Sequence, residues 1–198
     1  MGNIIIIILA AYLLGNISPA YIIGKLTANI DIREYGSGNA GTTNVMRTLG
    51  KRAAFLTLLL DCLKGALAVL IGKYLAPGTN MHLYAGIIAV IGHNWPILLK
   101  FKGGKGVATT IGAGIAVFPS IAFLCIGIGI IILMKFKYVS LSSMTGVTLF
   151  AILMFFQEKS YFIFALTLCI FVLYRHRENI QRLLNGTERK VTDRLKVN

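Results

Sequence analysis

An all-α integral membrane fold is what the sequence predicts: a seven-span helical bundle with its N-terminus outside, its C-terminus cytoplasmic and glycine-rich cytoplasmic loops. Hydropathy, the lengths of the apolar runs and the placement of the cations carry that reading. Of 198 residues, 56% are hydrophobic and 14% charged, with a mean hydropathy of +0.75. A soluble domain carries about a quarter charged residues. A single domain over 1–198 is expected, since no Pro/Ser-rich linker and no repeat divides the chain. The net charge of +13 punctuates apolar spans instead of striping a soluble face, so nucleic acid is not an expected partner.

Ile4 to Leu26 is the first span. No Lys or Arg precedes it and no A-x-A site closes it before Lys25, so it reads as a retained span and not as a leader. Asn16, Ser18 and Pro19 inside it predict a kink packed against protein. Ala53 to Gly72, Leu83 to Leu99, Ser140 to Phe156 and Tyr161 to Tyr174 follow as runs near the ~20 residues that a ~30 Å hydrocarbon core requires. Val107 to Met134 is either one overlong helix or a hairpin of two short ones turning at Phe118, Pro119 and Ser120.

Charge asymmetry decides for the hairpin, because short loops rich in Lys and Arg stay in the cytoplasm. With it, seventeen cations share one side: Lys25, Arg33, Arg47, Lys51 and Arg52, then Lys100, Lys102 and Lys105, then Lys135 and Lys137, then the tail with Arg175, Arg177, Arg182, Arg189, Lys190, Arg194 and Lys196. Only Lys73 and Lys159 lie opposite, and Lys64 is inside a span. A single crossing would leave nine against ten. Pro119 then breaks the hairpin at the outer side, and one of its short halves is expected to be a partial or thinned span.

Two glycine-rich, cation-bearing loops sit between these spans. In GSGNAGTTNVMR (Gly36 to Arg47), Gly36, Gly38 and Gly41 allow positive φ, so that successive N–H groups can form an anion nest. Ser37, Asn39, Thr42, Thr43 and Asn44 add neutral donors, and Arg47 adds a planar fork suited to phosphate. The alternative is a solvated turn. In the second loop, Gly103, Gly104, Lys105 and Gly106 precede the helical run from Val107, where free N–H groups and the helix dipole favour an anion and Lys105 supplies full charge. The alternative there is topology signalling by three lysines. The nucleotide pattern G-x-x-x-x-G-K-[ST] fails, with Leu99 at its first glycine and Gly106 at its Ser/Thr.

Ser140, Ser142 and Ser143 open the sixth span as helix caps or phosphate donors. His176, Asn179 and Arg182 share one side of a helix-like tail segment that also reads as a polybasic interfacial helix. Asp61 and Lys64 lie three apart on one face of the second span, where mutual neutralisation serves structure. His93 is a site candidate or a hydrogen-bonded interfacial histidine. Cys62, Cys125 and Cys169 have no paired spacing and read as small buried hydrophobes. No H-x-x-x-x-D occurs, no serine has an evident His/Asp set, and one carboxylate within the spans argues against a multi-aspartate metal site.

A cation-rich, base-poor site of this kind suits phosphorylated substrates that are already activated. GSGNAGTTNVMRTLGK, GHNWPILLKFKGGKGVAT and YRHRENIQRLLNGTE resemble, in order and over the whole chain, the three motifs of the membrane-integral bacterial acyl-phosphate:glycerol-3-phosphate acyltransferase family. The resemblance implies transfer of a fatty acyl group from acyl-phosphate to the 1-position of glycerol-3-phosphate, the first step of phospholipid synthesis. It implies a catalytic set of Ser37, Arg47, Lys105 and Asn179, with Asn39, Thr43, Gly103, Gly104, Ser143 and His176 binding or shaping substrate. Gly38, Asn44 and His93 join these as substrate-binding candidates. No cofactor and no metal are expected. The implied partners are the two substrates, membrane lipid and an acyl-phosphate-producing enzyme at the cytoplasmic face of the bacterial inner membrane. An organic-anion transporter and a lipid-headgroup binder are the competing classes.

Overall fold

The computed structural model describes residues 2–193; the tail cations Arg194 and Lys196 lie outside the described residues. α1 (Gly2–Asn16) and α2 (Pro19–Ala28) continue one another as an apolar span of 26 residues, Asn3–Ala28. The expected kink falls between them. Ser18 Oγ accepts the Tyr21 N–H at 3.4 Å, and Pro19 takes the first turn, where its missing N–H leaves nothing unpaired.

The first glycine-rich stretch is only half a loop. From Thr42 to Leu49 it is a helix, α3, and Gly50 at φ 90° turns the chain from it into α4 (Lys51–Leu75). Val45 of α3 anchors it in a small core with Ala20, Ile32, Ala40 and Ala54. α5 (Met81–Asn94) ends at Trp95 and Pro96, and a single turn, Ile97–Leu99, precedes the second loop. α6 (Val107–Val117) and α7 (Pro119–Phe136) form the expected hairpin, with Pro119 opening α7. α8 (Val139–Met154) and α9 (Lys159–Arg175) follow, and α10 (Arg177–Leu184) turns away from α9 by 61°.

α4 is the hub, packed against α1, α3, α5 and α6, while α7, α8 and α9 lie side by side. α6 approaches α4 backbone to backbone because glycines meet there: a Cβ on Gly112 would overlap the Cys62 carbonyl, and one on Gly65 the Thr109 carbonyl. Val69, Val90, Phe150, Met154, Phe164, Leu168 and Val172 fill the main core. Leu59, Ile131, Met134 and Phe155 are exposed, as side chains facing lipid are. The three cysteines are free, two of them buried.

Among the described residues, four helical segments are long and apolar enough to cross a bilayer, and α9 with α10 makes a fifth if that bent pair counts as one span. α6 and α8 fall short. The 11 residues of α6 rise about 16 Å, roughly half a hydrocarbon core, so the short half of the hairpin is α6.

Candidate active site

One cavity of about 990 Å³ runs from the glycine-rich loops into the bundle. Its polar end is lined by Ser37, Gly38, Asn39, Thr43, Arg47, Gly103, Lys105, His176 and Asn179; its apolar end by Ile111, Gly114, Ile126, Ile130, Val147 and Phe150 from α6, α7 and α8, with Ser143 lining it as well. Residues from all three motifs thus converge on one volume.

The first stretch is shaped from within. Asn44 is buried, its Nδ2 donates to the Ile32 and Tyr35 carbonyls at 2.9 Å each, and its Oδ1 accepts the Ser37 N–H at 2.9 Å. Its polar atoms are therefore engaged inside the loop, which makes it an organiser of Ser37 and not a substrate donor. Gly36 and Gly38 have the expected positive φ of 63° and 70°. Gly41 does not: at φ −154° it is extended backbone that any residue adopts, and it caps α3. Arg47, one turn into α3, is half-buried against the cavity, and its Nη2 donates to the Arg189 carbonyl at 3.3 Å. Burial lowers its pKa from the ordinary value.

The second loop is clamped from two sides. The Gly104 N–H donates to the His93 carbonyl at 3.1 Å, and a Cβ on Gly104 would collide with the His93 ring. Arg175 then binds the loop's outer edge, with Nε donating to the Gly104 carbonyl at 3.0 Å and Nη2 to that of Gly103 at 3.1 Å. Gly103 lines the cavity, while Gly104 packs behind it. The clamp leaves Lys105 reaching into the cavity, where its Nζ donates to Asn179 Oδ1. Burial, with repulsion from Arg182 next, pushes the Lys105 ammonium down to about 8. At pH 7 it is still mostly charged, yet poised to lose its proton above neutrality.

Asn179 passes the restraint onward. Its Nδ2 donates to Glu188 Oε1 at 2.6 Å, and Glu188 also accepts from Ser140 Oγ at 2.7 Å and Arg182 Nε at 2.8 Å. Burial raises the Glu188 carboxyl, but hydrogen bonds from Ser140, Arg182 and Asn179 prevail and hold it below its ordinary value. His176 Nδ1 lies 2.8 Å from the Val172 carbonyl, so it donates there and leaves Nε2 as an acceptor. Burial, then the Lys105 charge, pushes His176 down to about 4, which keeps it neutral at pH 7.

The serines do not cap α8. Tyr138 stands at the cap position with no side-chain bond; Ser140 turns to Glu188, and Ser142 Oγ donates to the Gly129 carbonyl of α7 at 2.6 Å. His93 belongs to a buried cluster. Its Nδ1 lies 2.9 Å from Lys64 Nζ and 3.2 Å from Asp61 Oδ1, and Lys64 also meets Asp61 at 2.8 Å. Asp61 and His93 reach the cavity wall.

Sequence reasoning placed Ser37, Arg47, Lys105, Asn179, Asn39, Thr43, Ser143 and His176 at one site, and the fold brings them together. It missed Glu188 and Arg175 as participants. A usable signal was present for Glu188, the last residue of the third motif, six positions after Arg182. None marked Arg175 out from the other tail cations.

Fold and cavity define an all-helical integral membrane protein whose site joins an end lined by Arg47 and Lys105 to an apolar groove. Residues 5–186 match the family model described as glycerol-3-phosphate acyltransferase. Among curated relatives, the glycerol-3-phosphate acyltransferases of Alkaliphilus metalliredigens and Clostridioides difficile are each 53% identical, covering 94% of this chain and 95% of theirs. Two solved structures of PlsY (YgiH), an integral membrane glycerol 3-phosphate acyltransferase, are similar at 38% identity with 94% of each chain covered. The TM-score is 0.90 for its glycerol 3-phosphate form and 0.87 for its lysophosphatidic acid form. The chain belongs to the glycerol-3-phosphate acyltransferase family, and is an enzyme of that family.

Proposed function

We propose that the protein transfers a fatty acyl group from acyl-phosphate to the 1-hydroxyl of glycerol-3-phosphate, forming lysophosphatidic acid and inorganic phosphate. One observation carries the reading: Arg47 and Lys105 line the polar end of the same cavity whose other end is an apolar groove between α6, α7 and α8. Two phosphates and one acyl chain fit such a division. An acyl-phosphate is a mixed anhydride, so no acyl-enzyme is needed and catalysis is positioning plus stabilisation of developing charge.

Lys105 and Arg47 bind phosphate, and Ser37 orients glycerol-3-phosphate. Asn179 holds Lys105 through Oδ1 and keeps one Nδ2 hydrogen for the incoming substrate after its bond to Glu188. The 1-hydroxyl oxygen attacks the acyl carbon, the bond from that carbon to the phosphate oxygen breaks, and the hydroxyl proton passes to a phosphate oxygen. A pH-rate profile that follows His93 or His176, and disappears when that residue is replaced, would sink the last step.

The protein works as seven crossings of a bacterial inner membrane, with α6 and α8 as short ones and the site on the cytoplasmic side, where an acyl-phosphate-producing enzyme docks. Charge placement supports this. Cysteine substituted at Lys102 should react with an impermeant maleimide in inside-out vesicles but not in right-side-out ones, and Lys73→Cys should behave oppositely; the reverse pattern overturns the orientation.

Release of inorganic phosphate by purified protein given acyl-phosphate tests the function. Release that requires glycerol-3-phosphate and matches lysolipid formation is the expected result. Folded protein that binds phosphate without turnover would favour a headgroup binder, and counter-flow of the anion in liposomes a transporter. Since kcat/KM reports the free enzyme, and Lys105 loses its proton above about 8, kcat/KM for glycerol-3-phosphate should fall about tenfold per pH unit beyond that point. Lys105→Arg should abolish this alkaline fall, because arginine stays protonated.

A further inference from the structure

The apolar end of the cavity stops at one level on three helices. α6 lines it from Val107 to Gly114, α7 from Leu133 back to Ala122, and α8 from Val139 to Phe150. Among the described residues, none further along these helices lines it. From Val139 to Phe150 the lining runs about 16 Å along α8, and it runs as far along α7 from Leu133 to Ala122.

Gly114, Ala122 and Phe150 meet one another at that level. A Cβ on Gly114 would stand 3.4 Å from Phe150 Cζ and 3.8 Å from Ala122 Cβ. The tip of the Phe150 ring therefore reaches across from α8 to the backbone of α6, with α7 on the third side. Phe150 and Ala122 are buried members of the main core, which continues past them with Met154 of α8 and with Val117 and Phe118 where α6 ends. Core side chains interdigitate with few voids wider than a water molecule, so an alkyl chain has no path beyond the ring.

We infer that the Phe150 ring, seated between Gly114 and Ala122, is the floor of the acyl groove and sets the longest acyl chain that the enzyme accepts. The inference rests on the acyl-phosphate reading of the same cavity. Reaction requires the phosphate and carbonyl of the donor to stay among the polar residues, so one end of the chain is fixed and the other approaches the floor. Lipid tails are as apolar as the groove, and length selection therefore comes from steric fit and not from hydrophobic gain. A chain too long for the groove either displaces packed side chains or draws its carbonyl away from the polar end, and both slow transfer. An extended chain advances about 1.2 Å per bond, a third of the ~3.5 Å per residue of extended backbone, so one altered side chain at the floor is felt as a few carbons.

Two substitutions move the floor in opposite directions, and a series of saturated acyl-phosphates of increasing length, at fixed glycerol-3-phosphate in one detergent, reads both. Phe150→Ala removes the ring and should shift the optimum in kcat/KM to chains longer by about two to four carbons. Gly114→Ala adds a methyl at ordinary contact distance from the ring and should shift the optimum to chains shorter by about one or two carbons. For the chain that suits the unsubstituted enzyme best, Gly114→Ala should lower kcat/KM about tenfold. Its thermal midpoint should hold or rise, because alanine is the better helix former. Phe150→Ala leaves a hole in the core and lowers the midpoint, but the position of its optimum does not depend on how much of the preparation is folded; if it does not accumulate as folded protein, Gly114→Ala alone decides. A Gly114→Ala optimum at the unsubstituted length overturns the inference, as does a flat profile for the unsubstituted enzyme, since a tail that leaves sideways into lipid meets no floor. Absence of any acyl transfer by the unsubstituted, folded protein overturns the function and this inference together; turnover with unshifted profiles overturns this inference alone.

Discussion

Replacing Lys105 with alanine should lower kcat/KM by about 1,000-fold or more, on the order of 4 kcal/mol of transition-state stabilisation. The ammonium reaches into the cavity from a loop whose neighbouring carbonyls are gripped by Arg175, and Asn179 aims it under the restraint of Glu188. A cation so held is placed to make charge-assisted bonds to a phosphate without reorganising, as the proposed reaction requires. Its loss should leave the fold intact, because Arg175 and the Gly104 to His93 bond secure the loop independently of it. Phosphate release and lysolipid formation measure the effect, and a thermal midpoint close to that of the unsubstituted protein separates it from unfolding. A Lys105→Ala enzyme retaining more than about a tenth of kcat/KM would remove Lys105 from the chemistry.

Lys64→Met should destabilise the bundle by about 3–5 kcal/mol. Lys64 lies buried where the first span breaks, and its Nζ donates to the Gly15 carbonyl at 3.0 Å and the Ile17 carbonyl at 2.6 Å while meeting Asp61 at 2.8 Å. The last carbonyls of a helix have no partner within it, and in a membrane interior water does not supply one. Methionine fills the space but leaves those carbonyls orphaned and Asp61 uncompensated. Asp61→Asn combined with Lys64→Met should recover part of the loss, because it removes the stranded charge without restoring the carbonyl bonds. Denaturant unfolding in detergent micelles reads both; a single Lys64→Met variant as stable as the parent would refute this role. The cluster also carries His93, against which Gly104 packs, so the break in the first span and the Lys105 loop share one support.

The alternation of apolar runs with cations made the membrane class and the hairpin at Pro119 legible, and Ser18 and Pro19 marked the break in the first span. These are local properties of the chain: a run of about 20 apolar residues partitions into lipid whatever its neighbours do, and proline breaks a helix wherever it falls within it. The donor-rich, glycine-rich motifs exposed the site for a similar reason, since their composition suits an anion before any partner is known. The helix α3 was hidden by that same composition. Thr42 to Leu49 reads as loop because Thr and Asn are weak helix formers, and what holds it is the burial of Val45 against Ala20, Ile32 and Ala54.

By itself the sequence determined that this is a helical membrane protein with two glycine-rich, cation-bearing segments whose composition suits an anion, and which side chains could serve them. Tertiary structure alone decided that Arg175 clamps the Gly103 and Gly104 carbonyls 72 and 71 positions away, that Glu188 steadies Asn179 and so Lys105, and that Lys64 serves a broken helix 49 and 47 positions earlier. Hydropathy and periodicity assign a residue to a helix face. Which carbonyl that face meets depends on the depth, rotation and closeness of other helices, and in this bundle the glycine contacts between α4 and α6 set that closeness.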